Sequence, residues 1–381
     1  AAVLIGVIHA FGILIFPKIT LVLVFLVMAV VLMVKPYGLM GKRPVGSVHA
    51  HGPVEPLLLP ASSTAKGLGL LALALLMVAP FIVADHWLLT LTELSIFALF
   101  AASLHLMMGP GGMASFGHAA YFGLGAYGAA LAVKWLALPM LPALAFAPFL
   151  AGIAGFVFGW FCVRLSGVYL AMLTLAFAQI AWATAFQWVD LTGGDNGILG
   201  VWPAAWASSK LVFYYLTLVI CVAFVLLLRV FVFAPFGYAL RAGRDSPLRA
   251  EAIGLPVMRI QWLAFIIAAF AAGIAGALFA FFKGSVFPTY MAIPRSVDAL
   301  LMVLLGGVQT VSGPIVGAFA FMGLQEQLAK ATMYWRFVLG ASIVLLVILF
   351  PRGLVGTTLA LAERRREDGA AAPAATPEPA R

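Results

Sequence analysis

The chain has 381 residues, of which 64% are hydrophobic and only 9% charged, with a formal net charge of +9. A mean hydropathy of +1.12 lies outside the range of soluble domains. The Lys and Arg residues sit mainly in short loops and near the C-terminus, which fits the charge bias of cytoplasmic membrane loops rather than a nucleic-acid surface, and Cys162 and Cys221 are too far apart to suggest a disulfide framework or a zinc site.

The chain opens on Ala1, already inside an apolar run, as a processed chain or a piece of a longer one would. Apolar runs recur near 1–16, 19–34, 67–84, 88–108, 116–133, 141–162, 167–189, 211–232, 260–282, 296–328 and 335–350. They are continuous rather than alternating, so they predict helices. About 20 helical residues cross a bilayer core, and in lipid only helices and closed barrels satisfy the backbone. The fold class expected is therefore an all-α integral membrane protein, a polytopic helical bundle. The 38 glycines suit it, because small residues let membrane helices approach closely.

The division into units follows the composition. Residues 44–66 are rich in Pro, Gly, Ser and His and predict a linker. Residues 67–356 form the main membrane unit. Residues 357–381 contain Glu363 and Arg364–Arg366, then run into Ala and Pro, and predict a disordered tail. The run 296–328 is interrupted by G-G-V-Q-T-V-S-G-P (Gly306–Pro314) and is expected to be two pieces, the first too short to cross alone. Such pieces are tolerated where protein or a cavity surrounds them. This gives the main unit about ten spans with both ends inside, and the Lys and Arg residues then divide about two to one in favour of the cytoplasm.

Val30–Lys42 (VVLMVKPYGLMGK) echoes Val347–Thr357 (VILFPRGLVGT). Residues 1–43 therefore read as the last two helices of a preceding unit like the main one, or as an ordinary N-terminal hairpin.

Three segments carry polar signals. The first is G-P-G-G-M-A-S-F-G-H-A-A-Y-F-G-L-G-A-Y (Gly109–Tyr127), a glycine-rich break between two apolar helices. Gly112 and Gly117 permit the break, and Ser115 and His118 offer hydrogen-bonding groups that line a path or only satisfy backbone. The second is T-G-G-D-N-G (Thr192–Gly197), a docking or gating loop or a plain connector. The third runs from Pro235 to Arg259. Pro235 and Gly237 are expected to stop one helix, Tyr238–Arg244 to form a short basic helix, Pro247 to start another near N1, and Gly254 to end it at C′. A short helix pair with both charge signs and some exposed apolar residues suits a protein groove, or an anionic lipid surface.

Polar residues also lie in or near the spans: Glu93, His105, Gln179, Gln187, Asp298 and Glu326. Glu93, Asp298 and Glu326 are the acidic candidates for an ion or proton relay, and they form no cluster. The phosphate-binding G-x-x-x-x-G-K-[ST], H-E-x-x-H and G-x-S-x-G motifs are absent. An enzyme would have little to work with.

Five motifs together resemble the LivM-type permeases of ABC importers for branched-chain amino acids, over about residues 67–356. They are G-G-M-A-S-F-G-H-A-A-Y-F-G-L-G-A-Y at 111–127, V-Y-L-A-M-L-T-L-A-F-A-Q-I at 168–180, T-G-G-D-N-G at 192–197, F-G-Y-A-L-R-A-G-R-D-S-P-L-R-A-E-A-I-G at 236–254, and L-L-G-G-V-Q-T-V-S-G-P-I-V-G-A at 304–318. His105 stands where such chains often carry Asn. The resemblance implies a type II ABC importer permease in the bacterial inner membrane. Its implied partners are a LivH-type permease, two ATP-binding subunits, a periplasmic substrate-binding protein, membrane lipid and an amino acid substrate, with no nucleic acid. No cofactor is implied on this chain, ATP and Mg belonging to the ATPases. Residues 1–43 resemble a LivH-type C-terminus, which suggests a fused permease.

By the same resemblance Ala239, Arg241, Arg244, Asp245, Arg249, Glu251, Ala252 and Gly254 would form the coupling element. Gly112, Ser115, Gly117, His118, Gly306, Gly307, Ser312 and Gly313 would line or hinge the path. Related permeases carry urea or short amides, and an ion-coupled secondary transporter is the competing class.

Overall fold

Helices follow the apolar runs almost residue for residue in the computed structural model, which describes residues 2–15, 20–35, 63–358 and 360. In chain order they are α1 (Ala2–Ile15), α2 (Thr20–Val34), α3 (Ser63–Ile82), α4 (Asp85–Met108), α5 (Ala119–Trp135), α6 (Met140–Cys162), α7 (Gly167–Gln187), the short α8 (Val189–Thr192), α9 (Lys210–Phe233), α10 (Pro235–Asp245), α11 (Pro247–Ala252), α12 (Val257–Lys283), α13 (Ile293–Gly306), α14 (Gly313–Ala331) and α15 (Trp335–Leu349). A further helical stretch covers 353–358. Among the described residues, six helices are long and apolar enough to cross a membrane: α4, α6, α7, α9, α12, and the stretch 335–358 that contains α15. With only a two-residue strand pair besides its helices among the described residues, the architecture is that of an α-helical, multi-pass membrane protein.

Several boundaries differ from those expected. The run 116–133 is helical only from Ala119, because 112–118 are held in a non-helical break. The run 296–328 is two helices, as the glycines imply, with 307–312 between them. The main unit's first helix begins at Ser63, so residues 63–66 are helix rather than linker, and residues 357 and 358 continue the last helical stretch. The rest of the linker, the segment Pro36–Arg43 and the tail beyond 360 lie outside the described residues.

α12 is the axis of the core. It packs against α4, α5 and α6, and residues from Ala268 to Phe281 are buried almost without interruption. With lipid outside, no hydrophobic force draws these helices together, so close packing must do so. Small residues supply it: a Cβ at Gly276 would overlap the Phe122 carbonyl. Phe97, Phe100, Phe122 and Phe279 then fill the space beside it, with ring centroids 4.8–6.3 Å apart. Such offset and edge contacts add to the area they bury. The outward faces of α3 and α6 carry Leu71, Leu75, Phe81, Phe149 and Ile153, all exposed on the chain itself, as lipid-facing residues are. α2 lies against α7 and buries Ala29.

The loops at the end of the bundle away from α10 and α11 are pinned to one another. Strand β1 (Ile198–Leu199) pairs antiparallel with β2 (Ser285–Val286), in the register Ile198 to Val286. The T-G-G-D-N-G segment is a tight connector there: Thr192 Oγ1 donates to the carbonyl of Ala185 at 2.6 Å or Trp188 at 2.7 Å and accepts from the Gly194 N–H at 3.3 Å. All three acidic relay candidates have cationic partners. Glu93 meets Lys283 at 2.9 Å, Glu326 meets Lys330 at 2.8 Å, and Asp298 lies 3.8 Å from Arg295.

Candidate coupling element and helix breaks

Local chemistry builds the α10–α11 pair. Ala234 is extended, and Pro235 sits in the first turn of α10. α10 therefore begins three residues before the expected Tyr238, and Pro235 starts a helix as well as ending one. Ser246 is extended again, with Pro247 in the first turn of α11. Pro is favoured there because its missing N–H would have no helical partner. α11 closes with a Schellman motif: Leu255 N–H donates to the Ala250 carbonyl at 3.0 Å and Gly254 N–H to that of Glu251 at 2.9 Å. Gly254 takes a φ of +88° to allow it.

The pair is two-faced. Gly237, Leu240, Arg241, Gly243 and Ala250 are buried against the bundle, and Ala239 is half-buried. Tyr238, Asp245, Leu248, Arg249, Glu251, Ala252, Ile253 and Gly254 are exposed. A cleft of about 420 Å³ opens beside α11, lined by Trp160, Glu251, Leu255, Met258, Arg259 and Trp262, among others.

The predicted coupling residues thus separate. Asp245, Arg249, Glu251, Ala252 and Gly254 lie on the open face, whereas Arg241 and Arg244 turn inward. Arg241 Nη2 donates to the Val232 carbonyl at 2.6 Å and Nε to that of Gly237 at 3.3 Å, with the guanidinium 4.6 Å over the Tyr238 ring. It fastens the end of α9 to α10 through a carbonyl that the helix leaves free. Burial draws its pKa below the ordinary arginine value, but an arginine in a protein stays charged. Arg244 Nη1 donates to the Gly109 carbonyl at 2.9 Å and to Gln309 Oε1 at 3.4 Å. Its Nη2 pairs with Asp245 Oδ1 at 2.8 Å.

Arg244 leads to the two helix breaks, which lie side by side. In the first, Phe116 N–H donates to Thr174 Oγ1 at 3.2 Å and Ala119 N–H to Ser296 Oγ at 3.0 Å. Ser115 Oγ accepts from the Gly117 N–H at 3.4 Å, so it serves local backbone. Gly117 faces the Thr174 carbonyl too closely for any side chain. His118 is fully buried and its ring stacks on Phe100. Its Nε2 lies 2.8 Å from Ser103 Oγ, whose own proton goes to the Phe100 carbonyl at 2.7 Å. Ser103 must then accept, so His118 carries its proton on Nε2 and presents a bare acceptor at Nδ1. That Nδ1 has no protein partner.

In the second break, Gly307 takes a φ of +117°, and Thr310 N–H and Oγ1 both donate to its carbonyl, at 3.2 and 3.0 Å. Gly306 and Gly313 touch backbone to backbone, and Ser312 is exposed. The Pro351–Gly356 turn packs on Gly306 and Gly307 through Gly353. His105 Nε2 joins the two breaks, 2.8 Å from the Val308 carbonyl.

Ser103, His105, Thr174, Ser296 and Gln309 were given no role by sequence. Their partners lie 15 to 203 residues away, and no linear motif records such pairs. The inward turn of Arg241 and Arg244 did have a signal: with Gly237 they fall at i, i+4 and i+7 on one helical face. Among the described residues, no group of three or more His, Cys, Asp or Glu could hold a metal ion.

Comparison with known proteins shows what the sequence is similar to. A family model described as branched-chain amino acid transport system / permease component matches residues 87–347. The high-affinity branched-chain amino acid transport system permease protein LivM of Escherichia coli (strain K12) is 31% identical over 336 residues, covering 79% of this chain and 78% of that protein. LivH of the same organism is 24% identical over 291 residues, 69% of this chain and 92% of that protein. The L-arabinose ABC transporter permease protein AraH of Azospirillum brasilense is 28% identical over 227 residues, 52% of this chain and 63% of its own length. No solved structure matches the chain. With the matched region running from α4 into α15, through both breaks and the α10–α11 pair, the chain belongs to the family of permease components of branched-chain amino acid transport systems.

Proposed function

We propose that this chain is the LivM-type membrane permease of an ATP-driven importer for branched-chain amino acids in the bacterial inner membrane. Counting α3, α5, α13 and α14 as crossings together with the six long spans gives ten for the main unit, both ends cytoplasmic. The chain itself hydrolyses nothing and holds no cofactor. ATP and Mg are bound by two partner ATPases, a periplasmic protein delivers the amino acid, and a LivH-type permease completes the pore. Residues 1–43 are the end of such a LivH-type unit, fused upstream.

The observation that carries this reading is the two-faced α10–α11 pair. Its open face, with Arg249, Glu251, Leu248 and Ile253, is the seat for an ATPase. Its inner face rests on the breaks at 109–118 and 307–312. ATP-driven movement of the pair would bias the permease between outward- and inward-open states, each with its own affinity for substrate. Gly112, Ser115, Gly117, His118, Gly306, Gly307, Ser312 and Gly313 would line or hinge the path. The cationic partners of Glu93, Asp298 and Glu326 speak against an ion relay.

The test is uptake into proteoliposomes holding the permease pair and ATPases, supplied with binding protein. Leucine uptake that needs internal ATP is expected. Uptake driven by an ion gradient without ATPases would replace this reading with a secondary transporter. ATP-driven uptake of urea or acetamide but not leucine would keep the family and change the substrate.

A further inference from the structure

Three segments far apart in sequence converge on one side chain. The end of α4, the second break and α10 all meet at Arg244, whose side chain is only 16% exposed. Nη1 bonds the Gly109 carbonyl at 2.9 Å and Gln309 Oε1 at 3.4 Å, while Nε and Nη2 hold Asp245 Oδ1 at 2.9 and 2.8 Å. Its aliphatic stem lies so close over Gly112 that a Cβ there would overlap Cγ. His105, one turn before Gly109, ties the same two breaks together through the Val308 carbonyl. Gly109 fits between them because a Cβ would stand 2.7 Å from both His105 Nε2 and the Val308 carbonyl.

We infer that Arg244 is a positioning residue that transmits movement of α10–α11 to both helix breaks at once, and is not a contact charge for the ATPase; this rests on the permease reading above. The chemistry suits the role. The last carbonyls of α4 have no helical donor, and a cation is favoured at a helix C-terminus. A planar guanidinium can hold several acceptors in a fixed fork, which an ammonium on a flexible stem cannot do. The breaks are also where backbone is not locked by helical bonding, so they are the places that can yield. When α10 shifts, it must drag or release the Gly109 carbonyl and Gln309 together. The open-face residues Arg249 and Glu251 remain available to the ATPase.

The experiment measures leucine uptake and ATP hydrolysis on the same proteoliposomes of the complete complex. The variants are Arg244→Gln, Arg244→Lys, Gly112→Ala and the double variant Arg244→Gln/Gly112→Ala. Each single variant is expected to assemble and hydrolyse ATP, with leucine moved per ATP down about tenfold, inside the usual span of coupling between sites. Lys is not expected to rescue, and leucine moved per ATP should be no lower in the double variant than in either single one, since both break one contact; the left-handed strain that Ala adds at Gly112 falls on stability, not on this ratio. An unchanged ratio in Arg244→Gln, or losses that add in the double variant, overturns the inference and leaves the permease reading intact. So does failure of both Arg244→Gln and Gly112→Ala to assemble, which would make the contact purely structural. No ATP-driven uptake in the wild type overturns the permease reading and this inference with it.

Discussion

Ser296 and Ser115 sit against the same break and should respond differently to loss of their hydroxyls. Ser296 accepts from the buried Ala119 N–H at 3.0 Å across a gap of 177 residues. Ser296→Ala would strand that donor, at about 1–3 kcal/mol. Ser115 makes only a long 3.4 Å contact two residues away, so Ser115→Ala should cost less than about 1 kcal/mol. Thermal inactivation of the purified complex in detergent measures both, and equal losses would contradict this ranking. His118 is a different case. Its bare Nδ1 costs stability without a visible return inside the protein, and the path role proposed for it would use that acceptor. His118→Gln keeps a donor toward Ser103 but moves the acceptor from the Nδ1 position to an amide oxygen. It is expected to hold stability within about 1 kcal/mol and to lower uptake; lost stability with unchanged uptake would assign His118 to packing alone.

At the level of elements, the positions of the glycines separate strain from overlap. Gly254 ends α11 at a φ of +88° with open space around it. Gly254→Ala should cost only the left-handed backbone strain, about 1–2 kcal/mol, and still give folded protein. Gly306 lies against the backbone of Gly313, where nothing flexible can give way. Gly306→Ala must part α13 from α14 and is expected to cost at least about 3 kcal/mol, visible as loss of monodisperse protein after extraction. The sequence was most legible at this scale. Long apolar runs marked the helices, Pro247 and Gly254 bounded α11, and Gly306–Pro314 announced the split between α13 and α14. Pro235 does end α9 but also begins α10, because proline serves both places equally well, and so Gly237, expected to help stop a helix, lies inside α10. The meeting of the two breaks could not be read at all. It depends on contacts such as His105 to Val308, between segments that share no pattern. The echo of Pro36–Gly41 in Pro351–Gly356 gained a physical meaning only for its second copy, which packs on Gly306 and Gly307.

For the whole molecule, the α10–α11 pair and the β1–β2 ladder occupy opposite ends of the bundle, so they should face opposite sides of the membrane. Cys162 and Cys221 are buried and should stay silent to a membrane-impermeant maleimide. In intact spheroplasts, Trp202→Cys is expected to be labelled and Leu248→Cys to be labelled only after lysis; labelling of both from outside would overturn the topology. With that orientation, the α10–α11 pair offers a cytoplasmic ATPase an open polar face through which it could drive the bundle, and Glu251 stands on it. The most direct measurement is ATP-driven leucine uptake by the reconstituted complex with Glu251→Arg in place of wild type. The permease is expected to insert and pair normally while uptake falls by about tenfold or more, a coupling loss of about 1.4 kcal/mol or more; uptake equal to wild type would contradict the claim that this pair of helices is where ATP hydrolysis meets the permease.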